Sequence, residues 1–271
     1  MTSQKQKIAY PTDLSKDELK LISPHIPTPS TNRGKKRVYP LEDILNAILY
    51  LLRTGCAWRM LPHDFPPWKT VYHYFRLWSR DGTLERINDA MRTDLRVKAG
   101  RNPQPSAAIL DSQSVKTTET PGVRGYDAGK KVKGRKRHIL VDTMGLLLMV
   151  VVHPANIQDR DGAKLVLEKA KGKYSRLQLI WADGGYSGKL IGWVKETCNW
   201  ILEIVKRSDD VKGFQVLPRR WVVERTFGWQ GRYRRLSKDY EGLPETSEAM
   251  IYGAMIHLMV KRLARSQFPD S

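Results

Sequence analysis

Through the first hundred residues the apolar positions recur at intervals of three and four, the period of an amphipathic helix. Beyond residue 106 they gather into short runs typical of buried strands. Residues 10–23 predict a short helix, opened by the capping box Ser15-x-x-Glu18 and carrying Leu14, Leu19 and Ile22 on one side. Pro24, Pro27 and Pro29 end it. Leu41, Ile44, Leu45, Ile48, Leu51 and Leu52 predict a second helix that stops at Gly55. After Pro62, Pro66 and Pro67, residues 68–78 set Trp68, Val71, Phe75 and Trp78 on one helical face and Lys69, His73 and Arg76 on the other. A fourth helix, over 84–96, presents Leu84, Ile87, Met91 and Leu95 before Gly100 closes the unit. Short helices joined by proline-rich turns suit a helix-turn-helix that enters a DNA major groove, and equally a small bundle whose aromatics are all core. His63 and His73 have no partners at metal-ligand spacing and read as ordinary polar residues.

The second part alternates strands and helices. Runs at 107–111, 138–142, 146–152, 177–183 and 200–205 read as strands, with Thr143-Met-Gly145 as a hairpin turn. Helices are expected over 161–171, 187–198 and around 221–229, and a terminal one over 247–264 with Ile251, Met255, Leu258 and Met259. That last helix is expected to pack on the sheet or to form a dimer interface. Three strands followed by helix, strand, helix, strand, helix is the order of a ribonuclease H-like fold. The expected architecture is therefore α+β or α/β: an amino-terminal helical, helix-turn-helix-like domain over 1–100, then a ribonuclease H-like mixed-sheet catalytic domain over 106–271 with a basic loop at 116–137.

Charge narrows the function. The 271 residues hold 47 Lys plus Arg against 28 Asp plus Glu, a formal +19, which points to a polyanionic partner. The excess sits in three blocks, at 33–37, 116–137 and 219–238, better explained by phosphate contacts than by a solvated helix face, which usually alternates signs. With 41% hydrophobic residues the chain is a folded protein and not a disordered basic tail. Cys56 and Cys198 form neither a disulfide framework nor a zinc or redox motif, as expected of a reducing cytosol. No secretory signal or membrane-spanning run is read, so a cytoplasmic protein is expected.

Three carboxylates carry the candidate chemistry. In a ribonuclease H-like sheet the first and fourth main strands lie side by side, so Asp111 and Asp183 at their ends are expected to project into one site, with Glu224 on the later helix as a third ligand. Hard oxygen donors of this kind suit Mg²⁺ or Mn²⁺, and three carboxylates can hold two ions for in-line phosphoryl displacement. Taken singly, Asp111 or Asp183 reads equally well as a turn former or helix cap, and Glu224 as a solvated residue or ion-pair partner of Arg220 or Arg225. Asp142 is explained by its hairpin turn and Asp127 as a local charge partner, so both are set aside.

Four ordered motifs then become recognisable: Asp111-Ser-Gln-Ser-Val-Lys; Gly134-Arg-Lys-Arg-His-Ile-Leu-Val-Asp-Thr-Met-Gly145; Trp181-Ala-Asp-Gly-Gly-Tyr-Ser187; and Arg219-Arg-Trp-Val-Val-Glu-Arg-Thr-Phe-Gly-Trp229. Over nearly its whole length the chain resembles the transposases of bacterial insertion sequences of the insertion-sequence-five family. The resemblance implies an Asp-Asp-Glu triad at Asp111, Asp183 and Glu224, and assigns Arg220 to the family's tyrosine-arginine-glutamate-lysine signature. Two positions depart from that signature: Leu217 stands for the tyrosine, and Gly231, beside Arg232, for the basic residue. The resemblance further implies binding of terminal inverted repeats, hydrolytic nicking and 3′-OH attack on target DNA. The partner expected is double-stranded DNA, bound by a homodimer or higher oligomer. DNA contacts are expected from Lys35, Lys36, Arg37, Lys69, His73, Arg76, Lys130, Lys131, Lys133, Arg135, Lys136, Arg137, Arg220, Arg225, Arg232, Arg234, Arg235 and Lys238. The alternatives are a transposase-derived DNA-binding regulator and a nuclease that cuts without joining.

Overall fold

Four helices open the chain: α1 (Lys16–Ile22), α2 (Leu41–Thr54), α3 (Trp68–Arg80) and α4 (Thr83–Lys98). They belong to a computed structural model that describes residues 9–27, 37–120, 122–205 and 221–265. The capping box forms as expected: Ser15 Oγ accepts from the Glu18 N–H at 3.1 Å, and Glu18 Oε2 accepts from the Ser15 N–H at 3.0 Å. α1 is shorter than 10–23, because its end tightens into a 3₁₀ turn at Ser23–His25 where Pro24 has no N–H to continue the α-helical ladder. α2 stops at Gly55, whose φ of 75° is a left-handed cap that suits glycine. α3 buries Val71, Phe75 and Trp78, while Lys69, His73 and Arg76 remain exposed.

The second half is a mixed sheet flanked by helices. Its strands are β1 (Ala107–Lys116), β2 (Gly125–Asp127), β3 (Val132–Asp142), β4 (Leu147–Pro154), β5 (Leu179–Ala182) and β6 (Ile201–Ile204). Its helices are α5 (Asp159–Ala170), α6 (Lys189–Cys198), α7 (Trp221–Gly231) and α8 (Pro244–Arg265). β3 pairs antiparallel with β1 and with β4, whereas β1 runs parallel to β5 and β5 to β6. This is the ribonuclease H-like arrangement expected from element order.

One expectation changes. The 116–137 stretch is not a free loop, because β2 and the first half of β3 lie within it and β1 pairs with β3 as far as Lys116 opposite Gly134. Gly134 is required at that crossing, since a Cβ there would run into the Val115 carbonyl oxygen.

Strand alternation divides the core. Ala108, Leu110 and Leu140 pack with Ala163, Val166 and Leu167 of α5 and with Leu190 and Val194 of α6. On the opposite face Ile109, Ile139 and Val141 join one continuous cluster with α7, α8 and the amino-terminal helices. α8 does touch the sheet, at β4, but it also packs against α1, α2, α3 and α4, which explains why it is apolar nearly all round.

Candidate active site

β1 and β5 set Ala107 opposite Leu179, Ala108 opposite Ile180 and Ile109 opposite Trp181. The same offset carries Asp111 to Asp183. Asp183 directly follows β5 and keeps an extended backbone (φ −81°, ψ 179°), so the side-chain alternation of the strand continues through it. Both carboxylates thus share the face of Ile109 and Trp181, the one on which α7 packs against β1. Asp111 Oδ1 accepts from the Ser112 N–H at 2.7 Å, and Asp183 Oδ1 caps the next turn by accepting from the Gly185 N–H at 2.8 Å. Tyr186 registers the same crowding: burial, then the charges of Asp111, Asp159 and Asp183, raise its hydroxyl pKa well above the ordinary value.

Glu224 lies in the first turn of α7, the helix that packs against β1. Val222 and Val223 turn inward and Glu224 stays exposed. The helix is tied to the β3–β4 turn, since Arg225 Nη2 donates to the Met144 carbonyl at 2.9 Å and Thr226 Oγ1 to the Gly145 carbonyl at 2.8 Å. Among the described residues no group of three or more His, Cys, Asp or Glu side chains is placed to hold a metal ion. Continued two residues past its last pair, the β1–β5 register sets Asp111 level with Asp183, and Glu224, on the helix that packs against β1, completes no three-carboxylate cage with them. The donor chemistry, carboxylate oxygen throughout, fits a hard divalent cation.

The two carboxylates set aside have structural duties. Asp142 is fully buried, pairs with Arg96 at 2.6 Å and accepts the N–H groups of Met144 and Leu146 in the hairpin turn. Burial alone would raise the Asp127 carboxyl, but Ser114, the Lys130 N–H and the Lys136 ammonium hold it at about 2.

The basic residues separate into two groups. Lys69, His73, Arg76, Lys130, Lys131, Lys133, Arg232, Arg234 and Lys238 are exposed. Arg135, Lys136, Arg137 and Arg235 are buried, which corrects the expectation that they meet DNA. β3 is a central strand covered on both faces, and acceptors distant in sequence surround its cations. Arg135 donates to the carbonyls of Val123, Glu241 and Gly242 and pairs with Asp239 at 3.2 Å. Arg137 donates to the carbonyls of Leu236 and Lys238, with burial lowering its pKa to about 10. Arg235 binds Glu241 at 2.7 Å and the Cys56 carbonyl. Half-buried Arg225 stacks on Trp221 and Trp229 at 4.2 and 4.8 Å, and Arg37 lies over Tyr74 at 5.4 Å. Lys35, Lys36 and Arg220 lie outside the described residues.

Sequence reasoning missed a polar layer behind the carboxylates. Asp159, at the start of α5, accepts from the Ser112 hydroxyl and from Lys136 Nζ, both at 2.9 Å. Buried His138 and His153 are bonded at 2.8 Å, and His138 meets Tyr186 at 3.0 Å. The signal available was two histidines at inward positions of a predicted hairpin, and it becomes legible only with the hairpin's register.

The chain matches the family model described as Transposase DDE domain over residues 102–259, from just before β1 into α8. It belongs to that family. DDE-domain transposases are metal-dependent DNA phosphoryl-transfer enzymes, so the chain is an enzyme of that type. A second model, described as "Putative transposase of IS4/5 family", matches residues 14–88, which span α1 to α3 and the start of α4. No curated protein matches the chain. No helix among the described residues is long and apolar enough to cross a membrane.

Proposed function

We propose that this DDE transposase binds the terminal inverted repeats of its insertion sequence, nicks the DNA there and joins the freed 3′ end to a target strand. What supports the reading most is the β1–β5 register, whose offset, continued two residues past its last pair, would set Asp183 alongside Asp111 on the face where α7 packs. Asp111 and Asp183, with Glu224, would hold divalent ions, Mg²⁺ or Mn²⁺ and two in number, which supply Lewis acidity to the attacking and leaving oxygens. In the first step a water oxygen bonds to phosphorus and the 3′ oxygen of the element leaves as a hydroxyl. In the second that hydroxyl attacks a target phosphodiester and displaces a target 3′ oxygen, so no covalent protein intermediate is needed.

The protein's own part is to grip and align DNA. Lys69, His73 and Arg76 form the exposed polar face of α3 and suit groove or phosphate contacts at the element's end. Lys130, Lys131 and Lys133 extend from the β2–β3 arm, and Arg232, Arg234 and Lys238 follow α7, so cations from two segments would neutralise backbone near the carboxylates. Cutting two ends together calls for at least a dimer on DNA.

Cleavage and strand transfer on end-bearing DNA with Mg²⁺ test the reading, with Asp111→Ala, Asp183→Ala and Glu224→Ala beside wild type. Each substitution is expected to abolish both steps while leaving end binding intact. Wild-type activity in any one of them removes that residue from the site. Binding without cleavage by the wild type would indicate a regulator, and cleavage without joining a nuclease.

A further inference from the structure

Tyr186 ends the 3₁₀ turn Gly184–Tyr186, three residues after Asp183, and is 1% exposed. A chain of hydrogen bonds leads from its hydroxyl into β3 and β4: 3.0 Å to His138 Nε2, 2.8 Å from His138 Nδ1 to His153 Nε2, and 2.9 Å from His153 Nδ1 to the Pro154 carbonyl. Burial favours the neutral form of both imidazoles, and with both rings neutral one proton arrangement satisfies the chain. The carbonyl can only accept, so His153 Nδ1–H donates, His138 Nδ1–H donates to His153 Nε2, and Tyr186 O–H donates to His138 Nε2. Gly162 of α5 closes the space above them, since a Cβ there would lie 2.5 Å from both rings.

The other carboxylate is braced from the same strand. His138 is in register with Ser112, the neighbour of Asp111, and the Ser112 hydroxyl donates to Asp159, which Lys136 holds. His138 and Lys136 stand two residues apart on β3 and turn to the same face. The turn carrying Asp183 and the strand carrying Asp111 are thus anchored to one rigid element.

We propose that Tyr186 is a positioning residue for the Asp111–Asp183 pair: its hydroxyl, bonded to His138, holds the two carboxylates at metal-binding separation against their mutual repulsion. The inference rests on the reading of Asp111 and Asp183 as metal ligands. Tyr186→Phe keeps the ring in its buried place and removes the hydroxyl, with its bond to His138 and its hydrogen bond with Ser112. Gly162→Ala presses on the two imidazoles from the other side without touching either carboxylate. In both variants the Mg²⁺ concentration for half-maximal cleavage is expected to rise about 10-fold or more, the usual cost of losing a partner that orients a metal ligand. A direct Mn²⁺ titration of the DNA-free protein, followed by electron paramagnetic resonance below the unfolding temperature of each variant, should show the same weakening. End binding without metal should not change.

A half-saturating Mg²⁺ concentration within about twofold of wild type in Tyr186→Phe overturns the proposal, as does a loss of turnover at saturating Mg²⁺ with Mn²⁺ affinity intact. Asp111→Asn and Asp183→Asn run beside it separate the two readings. If they cleave like wild type, the site assignment itself falls. If they are inactive while Tyr186→Phe titrates like wild type, only the role of Tyr186 falls.

Discussion

Arg135 and Arg137 sit at alternate positions of β3 and turn their guanidinium groups toward residues 236–242, whose carbonyls accept from them. A cation so buried is tolerable only while those acceptors stay in place, and truncating it strands Asp239 without its guanidinium partner. Arg135→Ala is therefore expected to lose about 3–5 kcal/mol in denaturant unfolding. Exposed Lys133→Ala should leave stability unchanged and reduce the slope of log affinity against log salt by about one, as expected of a phosphate contact. Substitution can thus distinguish neighbours in one basic run. His257 presents a different residue-scale effect: burial, with Lys261 and Arg53 nearby, pushes its pKa down to about 3, while its ring meets the Tyr233 hydroxyl at 3.3 Å. The unfolded chain takes up a proton below about pH 6.5 that the folded chain refuses until about pH 3, so stability falls as pH drops through that window. Unfolding free energies at pH 7 and pH 5 should differ through this group by up to about 2 kcal/mol, and His257→Gln should flatten that part of the profile.

At the scale of elements, local chemistry and long-range pairing contribute separately. The Ser15–Glu18 box and the Gly55 cap were legible in sequence, because each is satisfied within a few residues. Ser15→Ala should cost about 1 kcal/mol, read as a shift in thermal midpoint. The long β1–β3 ladder was not legible, because residues 116 and 134 look like loop until their strands pair across the intervening arm. Gly134→Ala should lower stability by about 1–3 kcal/mol, since the added methyl group meets backbone and not a side chain that can rotate away. Asp111 and Asp183 were proposed from the order of elements as strand-end residues; Asp183 does follow β5 directly, whereas Asp111 lies midway along β1, which runs on to Lys116 because it keeps pairing with β3. Their shared face with α7 follows from a parallel register and from alternation continuing through Asp183.

At the scale of the whole molecule, α8 joins the two halves. It packs on α1, α2, α3 and α4 as well as on β4, while Asn88 of α4 donates to the Leu147 carbonyl at 2.9 Å and Arg96 pairs with Asp142 across the same boundary. Calorimetry is expected to give one cooperative transition for the full chain. Residues 106–271 expressed alone should expose the α8 surface that the four helices cover and lose that transition. The sequence by itself determined the two helix and strand regimes, the capped helix ends and the ordered motifs, because these depend on periodicity and on contacts a few residues apart. Tertiary structure alone decided that half of a basic run lies inside the protein and that Tyr186, His138, His153 and Asp159 gather behind the candidate site. Those outcomes depend on which strands become neighbours and which faces are covered, and partners a hundred residues apart leave no local pattern in the chain.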